Sequence, residues 1–114
     1  MISNTFIKGS LKTIVLKLLK EEGPAHGYAL TKRVEEITEG KIKLPYGALY
    51  PILHQLQKEK ILVTAREIRD NRIRVYYSLT DKGHSLASEK IEELTEFIES
   101  LRLIIEPKPG LSHA

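Results

Sequence analysis

The sequence has 114 residues, of which 41% are hydrophobic and 29% charged, with a formal net charge of +3 and no cysteine. This length favours one domain with a modest core, and the lack of cysteine excludes a disulfide scaffold, a thiolate zinc site and a thiol nucleophile. Because no signal-peptide pattern is present and no apolar run approaches the roughly 20 residues of a membrane span, we expect a cytoplasmic protein with no membrane partner.

The charge is unevenly distributed along the chain. Residues 1–80 contain 14 Lys and Arg against 8 Asp and Glu, a balance of +6, whereas residues 81–114 contain 4 against 7, a balance of −3. A basic part followed by an acidic part suggests two roles. The alternative is that a long helix carries its glutamates for solubility alone.

The first half of the sequence predicts three helices. Ser10 is a plausible N-cap for the first, whose apolar residues recur at helical spacing until Gly23-Pro24 ends it. The second is expected over residues 27–40. The third is expected over residues 45–60, with a proline in its first turn; Pro51 inside it indicates either a bend or a looser start.

The spacing of apolar residues then changes to two. Residues 61–68 and 73–79 are typical of the strands of a hairpin, and Asp70 and Asn71 favour the turn between them. Thr80 is expected to cap a last helix, whose start Gly83 weakens. Apolar residues in this helix follow the 3,4,3,4 spacing of a helix–helix seam until Pro107.

The predicted fold is α+β, a winged helix-turn-helix of three helices and a two-stranded β-wing followed by a long C-terminal dimerisation helix. Two strands alone are barely stable, so the hairpin must pack on the helices. The expected division is a winged-helix DNA-binding domain at 1–80, a C-terminal dimerisation helix at 81–106 and a flexible tail at 107–114.

The apolar seam of the last helix predicts an interface between two copies of the chain. If this helix stays straight, its later part leaves the compact body, and an exposed stripe of that width is unfavourable in a monomer. The alternative is a helix that folds back on its own domain. The residues expected at the dimer interface are Leu86, Ile91, Leu94, Phe97, Ile98, Leu101, Ile104 and Ile105.

The sequence offers no candidate catalytic residue or metal ligand. Its four histidines show no metal-ligand spacing, and it contains no nucleophile elbow, phosphate loop or dinucleotide fingerprint. The paired glutamates are typical of a solvated helix surface. We therefore expect neither enzymatic activity nor a cofactor.

Two groups of residues point instead to double-stranded DNA. The second helix of a helix-turn-helix enters the major groove; here this is the third helix, whose candidate contacts are Tyr46, Gly47, Tyr50, His54, Gln55 and Lys58. The hairpin adds Arg69, Asn71, Arg72 and Arg74 as candidate contacts to the DNA backbone. Weaker phosphate candidates are Lys8, Lys12, Lys32 and Lys43. The alternatives are half-buried tyrosines and a hairpin whose arginines are merely salt-bridged.

Three stretches of sequence are distinctive in combination. They are Gly23-Pro24-Ala25-His26-Gly27-Tyr28; Gly47-Ala48-Leu49-Tyr50-Pro51 with Leu53 and Leu56; and Arg72, Arg74, Tyr76 and Tyr77 with Leu79-Thr80-Asp81-Lys82-Gly83. Through them, roughly residues 10–105 resemble a PadR-type transcriptional regulator of the short-tailed kind. The resemblance implies a homodimeric winged-helix DNA-binding protein, usually a repressor, whose last helix packs across the dimer. It also implies that Pro51 lies within the third helix, because members of this family have a proline in that helix.

Some residues depart from the pattern of this family. Pro45 replaces a frequent capping Ser or Thr, and Lys60 replaces a frequent Gly. Asn71 replaces a common Gly at the wing tip, which Asn tolerates. Val75 replaces a frequent basic residue, so we expect fewer phosphate contacts from this wing. Because the chain has no Trp, members that trap planar drugs between interface tryptophans are poor guides to its effector.

We therefore expect a homodimeric, sequence-specific DNA-binding transcriptional regulator that acts as a repressor. Two-fold symmetry implies an inverted-repeat operator, and the resemblance allows relief of repression by a small aromatic or drug-like effector. The alternative function is a winged-helix protein–protein adaptor, which would use its basic face for an acidic partner and would not bind DNA.

Overall fold

The computed structural model describes residues 2–107. Its elements are, in order, α1 (Asn4–Glu22), α2 (Gly27–Ile37), α3 (Tyr46–Lys58), β1 (Leu62–Arg69), β2 (Arg72–Leu79) and α4 (Asp81–Ile105). The α+β class, the hairpin and the long last helix are as predicted. The tail expected at 107–114 lies outside the described residues from 108 onward. Among residues 2–107, no helix has both the length and the apolar character needed to cross a membrane.

The first helix begins earlier than predicted. Ser3 precedes it, whereas Ser10 lies inside it and donates its hydroxyl hydrogen to the Phe6 carbonyl at 3.0 Å. The helix extends backward because Ile7 continues the apolar stripe of α1 and is buried in the core. The prediction of Ser10 as the N-cap was therefore wrong.

The other helix ends shift by a few residues. α2 ends at Ile37 rather than at residue 40, because Glu39 and Gly40 both adopt positive φ angles. Pro45 occupies the N-cap position just before α3 rather than its first turn, and α3 continues through Pro51. Neither shift changes which residues α3 exposes.

A tight turn at Lys60 ends α3. The Ile61 N–H donates to the Leu56 carbonyl at 2.9 Å and the Lys60 N–H to the Gln57 carbonyl at 3.0 Å, which are the two bonds of a Schellman motif. Lys60 has a φ of 63°, a conformation that glycine adopts without strain. This geometry explains why glycine is favoured at this position, and why lysine is strained there.

The core lies where α1 meets α3, the base of the hairpin and the start of α4. Its largest fully buried side chains are Leu11, Val15 and Leu16 of α1, Leu49, Leu53 and Leu56 of α3, and Leu62 of β1. Because all three buried leucines of α3 lie on one face, the opposite face of that helix is directed to solvent.

The hairpin pairs β1 with β2 from Leu62 opposite Leu79 to Arg69 opposite Arg72. Asp70 and Asn71, with φ angles of 49° and 62°, form the predicted two-residue turn. The other edge of β2 is held at a single bridge, in which Ala25 and Tyr77 exchange backbone hydrogen bonds of 3.1 and 2.8 Å. This bridge fastens the α1–α2 turn to the hairpin, a contact that was not predicted from the sequence.

The base of the hairpin and the start of α4 meet at the Ile61 carbonyl. The Thr80 N–H donates to this carbonyl at 3.1 Å, and the Thr80 hydroxyl donates to the Lys60 carbonyl at 2.7 Å. The predicted cap is confirmed, because the same hydroxyl accepts from the Gly83 N–H at 3.0 Å. A methyl group on Gly83 would collide with the Ile61 carbonyl oxygen, so close packing requires glycine here.

α4 packs on α1 near its start and then continues alone. Ala87 is buried, and Leu86 and Ile91 pack against the core of their own chain. Later apolar side chains are exposed, including Phe97 at 57% and Ile104 at 80%. The molecule measures 64 Å along its longest axis and 29 and 21 Å across it. Within the described residues, α4 therefore does not fold back on its own domain.

Replacing Gly83 by alanine should destabilise the fold by about 2 kcal/mol or more, because either α4 or the Ile61 carbonyl must move. The matched control is Gly9→Ala in α1, where an added methyl group meets nothing within 4 Å. That substitution should stabilise the protein by about 0.5–1 kcal/mol. Urea unfolding of both variants measures the difference, and equal changes in stability would contradict the proposed close packing.

Candidate nucleic-acid interface

α3 presents a ridge of aromatic and polar side chains to solvent. Tyr46, Tyr50, His54 and Lys58 are spaced four residues apart, so they lie one above another along the helix, and all four are exposed. The ring centroids of Tyr46 and Tyr50 are 6.0 Å apart, and those of Tyr50 and His54 are 6.4 Å apart. These four side chains are called the α3 ridge below.

The aromatic surface continues from the α3 ridge onto α2. The ring of Tyr28 lies nearly parallel to that of Tyr46, with 6.4 Å between centroids, and the Lys32 ammonium is 5.8 Å from the Tyr28 centroid, within reach of a cation–π interaction. Tyr28 is exposed. Tyr28 was not among the predicted contacts, although it belongs to the distinctive stretch at residues 23–28.

Tyr50 packs with one part of its side chain and exposes another. Its ring and hydroxyl lie over Gly27, where an added methyl group would be 2.8 Å from the tyrosine oxygen. Tyr50 and Tyr77 line the same groove beside the hairpin, and burial and then the proximity of Tyr50 raise the pKa of the Tyr77 hydroxyl. Because Tyr50 remains 38% exposed, one edge of the ring is still open to a ligand.

Gly47 and Gln55 lie beside the α3 ridge. Gly47 is exposed and has nothing within 4 Å of the position that a side chain would occupy, so the backbone is open to a close approach. The Gln55 side-chain amide donates to the Glu59 carboxylate at 2.8 Å. Gln55 must therefore exchange this bond before it can contact a base.

The outward face of the hairpin carries three of the candidate arginines. Arg69 lies directly opposite Arg72, and the carboxylate of Glu67 accepts from Arg69 at 2.8 Å, which offsets the repulsion between the two cations. Among the residues that the structure describes, Arg72 and Arg74 take part in no ion pair. They are the two cations of this face that are available to an external anion.

The tip of the hairpin extends beyond the core. Ile68 and Ile73 are paired across the strands and are 74% and 64% exposed. Ile73 lies on the same face of β2 as the buried Tyr77, but the core ends before it. Asn71 is exposed at the turn itself, beside these two isoleucines.

A groove of about 790 Å³ separates the α3 ridge from the hairpin. Its walls are His26, Gly27, Tyr28, Tyr50 and His54 on the helical side and Arg72, Ile73, Arg74, Val75 and Tyr77 on the β2 side. The groove contains arginines and no carboxylate, so it suits a polyanion. Over residues 2–107, no cluster of three or more His, Asp or Glu side chains could hold a metal ion.

His26 lies between the helices and the hairpin. Its Nδ1 accepts from the Ala29 N–H at 3.3 Å and so caps α2, and its Nε2 is 3.4 Å from an Arg74 guanidinium nitrogen. The ring meets that of Tyr76 edge-on at 5.5 Å. Burial and, secondly, the charge of Arg74 lower the pKa of His26, so the imidazole is neutral near pH 7.

Sequence comparison places these features in a known family. The model of the transcriptional regulator PadR-like family matches residues 15–89, a range that contains α3, the hairpin and the start of α4. The transcriptional regulator YqjI of Escherichia coli (strain K12) is 34% identical over 94 residues, which are 82% of this chain and 43% of that protein. The chain therefore spans less than half the length of this relative.

Solved structures share the fold. A transcriptional regulator from Clostridium thermocellum superimposes with a TM-score of 0.79 at 24% identity, covering 90% of this chain and 99% of that one. A PadR family transcriptional regulator from Eggerthella lenta superimposes with a TM-score of 0.72 at 26% identity, covering 92% and 86%. With the match of the family model over most of the chain, these likenesses show that the protein belongs to the PadR-like family of transcriptional regulators.

Proposed function

We propose that this PadR-like regulator is a homodimer that binds an inverted-repeat operator in double-stranded DNA and represses transcription. The observation that carries the proposal is the groove between the α3 ridge and the hairpin, which contains two unpaired arginines and no carboxylate. A helix that enters the major groove leaves its neighbouring hairpin over the flanking backbone, where cations contact phosphates.

The proposed roles of the residues follow from their positions. The α3 ridge, with Gly47 and Gln55 beside it, contacts the edges of bases, where Gln is suited to adenine and tyrosine to a thymine methyl group. Arg72 and Arg74 bind phosphates of the flanking backbone. Arg69 and Asn71 are secondary contacts, because Arg69 is already paired with Glu67 and Asn71 lies at the turn.

The exposed half of α4 supports the proposed dimer. Large apolar side chains that remain mostly exposed in their own chain, such as Phe97, Ile104 and Ile105, are costly in water and favour a second copy. An apolar groove of about 380 Å³ between α1, α2 and α4 extends this surface toward the body of the protein. In this division, residues 1–80 bind DNA and residues 81–106 dimerise. The proposed interface is formed by Leu86, Ile91, Leu94, Phe97, Ile98, Leu101, Ile104 and Ile105, of which Leu86 and Ile91 also pack partly against the core of their own chain.

The same apolar groove is the proposed site for a small aromatic effector. Ile14 and Leu18 line it on the α1 side, and Ile91, Leu94 and Ile98 line it on the α4 side. A ligand between α1 and α4 would change the angle at which α4 leaves the body. Because α4 also carries the interface, such a change would alter the spacing of the two α3 helices in the dimer.

Selection from a pool of random double-stranded oligonucleotides tests the proposal directly. We expect a palindromic motif whose half-sites are separated by about one helical turn or a multiple of it. Selection with Gln55→Ala should change the preferred bases within each half-site. If wild-type protein selects no palindrome and does not bind DNA at low salt, the adaptor function becomes the better explanation.

Replacing both Arg72 and Arg74 by alanine should weaken binding to every duplex sequence. Each lost phosphate contact lowers the magnitude of the slope of log affinity against log salt by about 0.9, so the pair should lower it by about 1.8. Fluorescence anisotropy at several salt concentrations measures this slope. The control Lys17→Ala with Arg33→Ala removes the same charge, but from cations already paired with Glu21 and Glu22. If the control variant bound the duplex as weakly as the Arg72 and Arg74 variant does, specific phosphate contacts by these two arginines would be contradicted.

Replacing Phe97 and Ile104 by glutamate should separate the dimer into monomers. Both side chains are mostly exposed in the single chain, so the monomer should remain folded, while two buried carboxylates would oppose association. Sedimentation should give twice the 13.0 kDa chain mass for the wild type and the single mass for the variant. The control, Glu92→Gln with Glu99→Gln, lies on another side of α4 and should remain dimeric. A dimeric Phe97 and Ile104 variant would place the interface elsewhere.

A further inference from the structure

The bridge between Ala25 and Tyr77 brings His26 to the edge of the hairpin. Because the two residues exchange both backbone hydrogen bonds, the next residue of the turn, His26, lies beside Tyr76 and within 3.4 Å of Arg74. His26 thus stands at the end of the groove between the α3 ridge and the hairpin. None of the contacts proposed above uses it.

The hydrogen bond that His26 accepts fixes which of its ring nitrogens carries the proton. Nδ1 accepts from the Ala29 N–H, so in the neutral ring the proton is on Nε2. Nε2–H then faces a guanidinium nitrogen of Arg74 at 3.4 Å. Both groups are donors, and neither can accept from the other, so this contact is not a hydrogen bond.

Within residues 2–107, no carboxylate forms an ion pair with Arg74. Glu67 lies directly opposite it in the hairpin, but the Glu67 carboxylate is paired with Arg69 at 2.8 Å. Two donors from different elements, His26 and Arg74, therefore converge on one place with no acceptor between them. Such an arrangement is complementary to an anionic oxygen that accepts from both.

We propose that His26 Nε2–H and the Arg74 guanidinium bind one phosphate of the DNA backbone, an assignment that rests on the proposed function. The phosphate would lie on the side of the groove between the α3 ridge and the hairpin, whose lining contains no carboxylate. The other side of His26 opens to a surface where Glu22 and Glu36 lie among Lys32 and Arg33, and Arg33 is already paired with Glu22. The groove without carboxylates is therefore the side better suited to an anion. This phosphate contact spans the helix-turn-helix and the wing, and so sets the orientation of one relative to the other on the duplex.

The two donors differ in a way that can be measured. Arg74 is a cation, so its contact releases a counterion and contributes to the salt dependence of binding. His26 is neutral, so its contact adds affinity without a counterion. Asparagine at position 26 would retain the cap of α2, because Asn is a favourable N-cap residue, but its shorter side chain would not supply the Nε2–H donor.

The first experiment measures binding of the full chain to a fluorescent random-sequence duplex over a range of salt concentrations. His26→Asn should weaken binding roughly tenfold and leave the salt slope unchanged, whereas Arg74→Ala should weaken binding and reduce the magnitude of the slope by about 0.9. The combined variant should lose less than the product of the two single losses, because both donors serve one phosphate. His84→Asn, on the exposed start of α4, is the matched control and should bind as the wild type does.

The second experiment uses long-range ¹H–¹⁵N NMR of the wild-type protein, with His26 assigned by its absence from His26→Asn. We expect the proton on Nε2 in the free protein, and a shift of this nitrogen on adding the duplex. Inorganic phosphate at the same phosphate concentration should shift it much less. An equal response to inorganic phosphate would indicate a site for the free ion and would overturn the DNA assignment.

Two further results would overturn the inference while leaving the proposed function intact. The first is that the His26→Asn variant binds the duplex as tightly as the wild type does. The second is that the free protein carries the His26 proton on Nδ1, because Nε2 could then accept a hydrogen bond from Arg74. If the wild-type protein bound no duplex, the proposed function would fail together with this inference. The duplex titration of the wild type therefore separates the two failures.

Discussion

The carbonyl of Ile61 is the point on which the arrangement of the whole molecule depends. It follows the Lys60 turn that ends α3, it accepts from the N–H of Thr80 at the end of β2, and Gly83 of α4 lies against it. Three elements that are distant in sequence are thereby fixed relative to one atom. The direction of the hairpin from α3 and the direction of α4 across α1 both follow from this meeting point.

The same junction divides the chain by charge. The basic excess of +6 belongs to residues 1–80 and the acidic excess of −3 to residues 81–114, and the packing of Gly83 against the Ile61 carbonyl joins the two parts. The acidic excess of the part that contains α4 opposes approach of DNA along that helix. The mild net charge of the chain thus conceals two parts of opposite sign, which meet at this junction.

Features set by neighbouring residues were predictable from the sequence. The left-handed turn at Asp70 and Asn71, the cap at Thr80 and the buried face of α3 all depend on short-range chemistry. The start of α1 was not predictable in this way, because it depends on Ile7 finding a place in the core. The role of Gly83 also escaped: a glycine near a helix start indicates only weak helix propensity, whereas its necessity comes from a carbonyl more than twenty residues earlier in the chain. His26 was missed as part of the site for the same reason, since only the pairing of Ala25 with Tyr77 brings it to Arg74.

The hairpin is supported on both sides only near its base, so a rotation of the hairpin displaces its tip more than its base. The last support is the bridge between Ala25 and Tyr77. From Tyr77 to Arg72, five residues along β2, the hairpin extends about 17 Å at the rise of a β-strand. A rotation of about 5° at this bridge would displace the tip by roughly 1.5 Å over that length. Arg74 is therefore nearer the supported base of the hairpin, and Arg72 is at its free tip. If the two arginines bind DNA as proposed, Arg74 would fix the register of the protein on the duplex, and Arg72 would follow a backbone whose groove width varies with sequence.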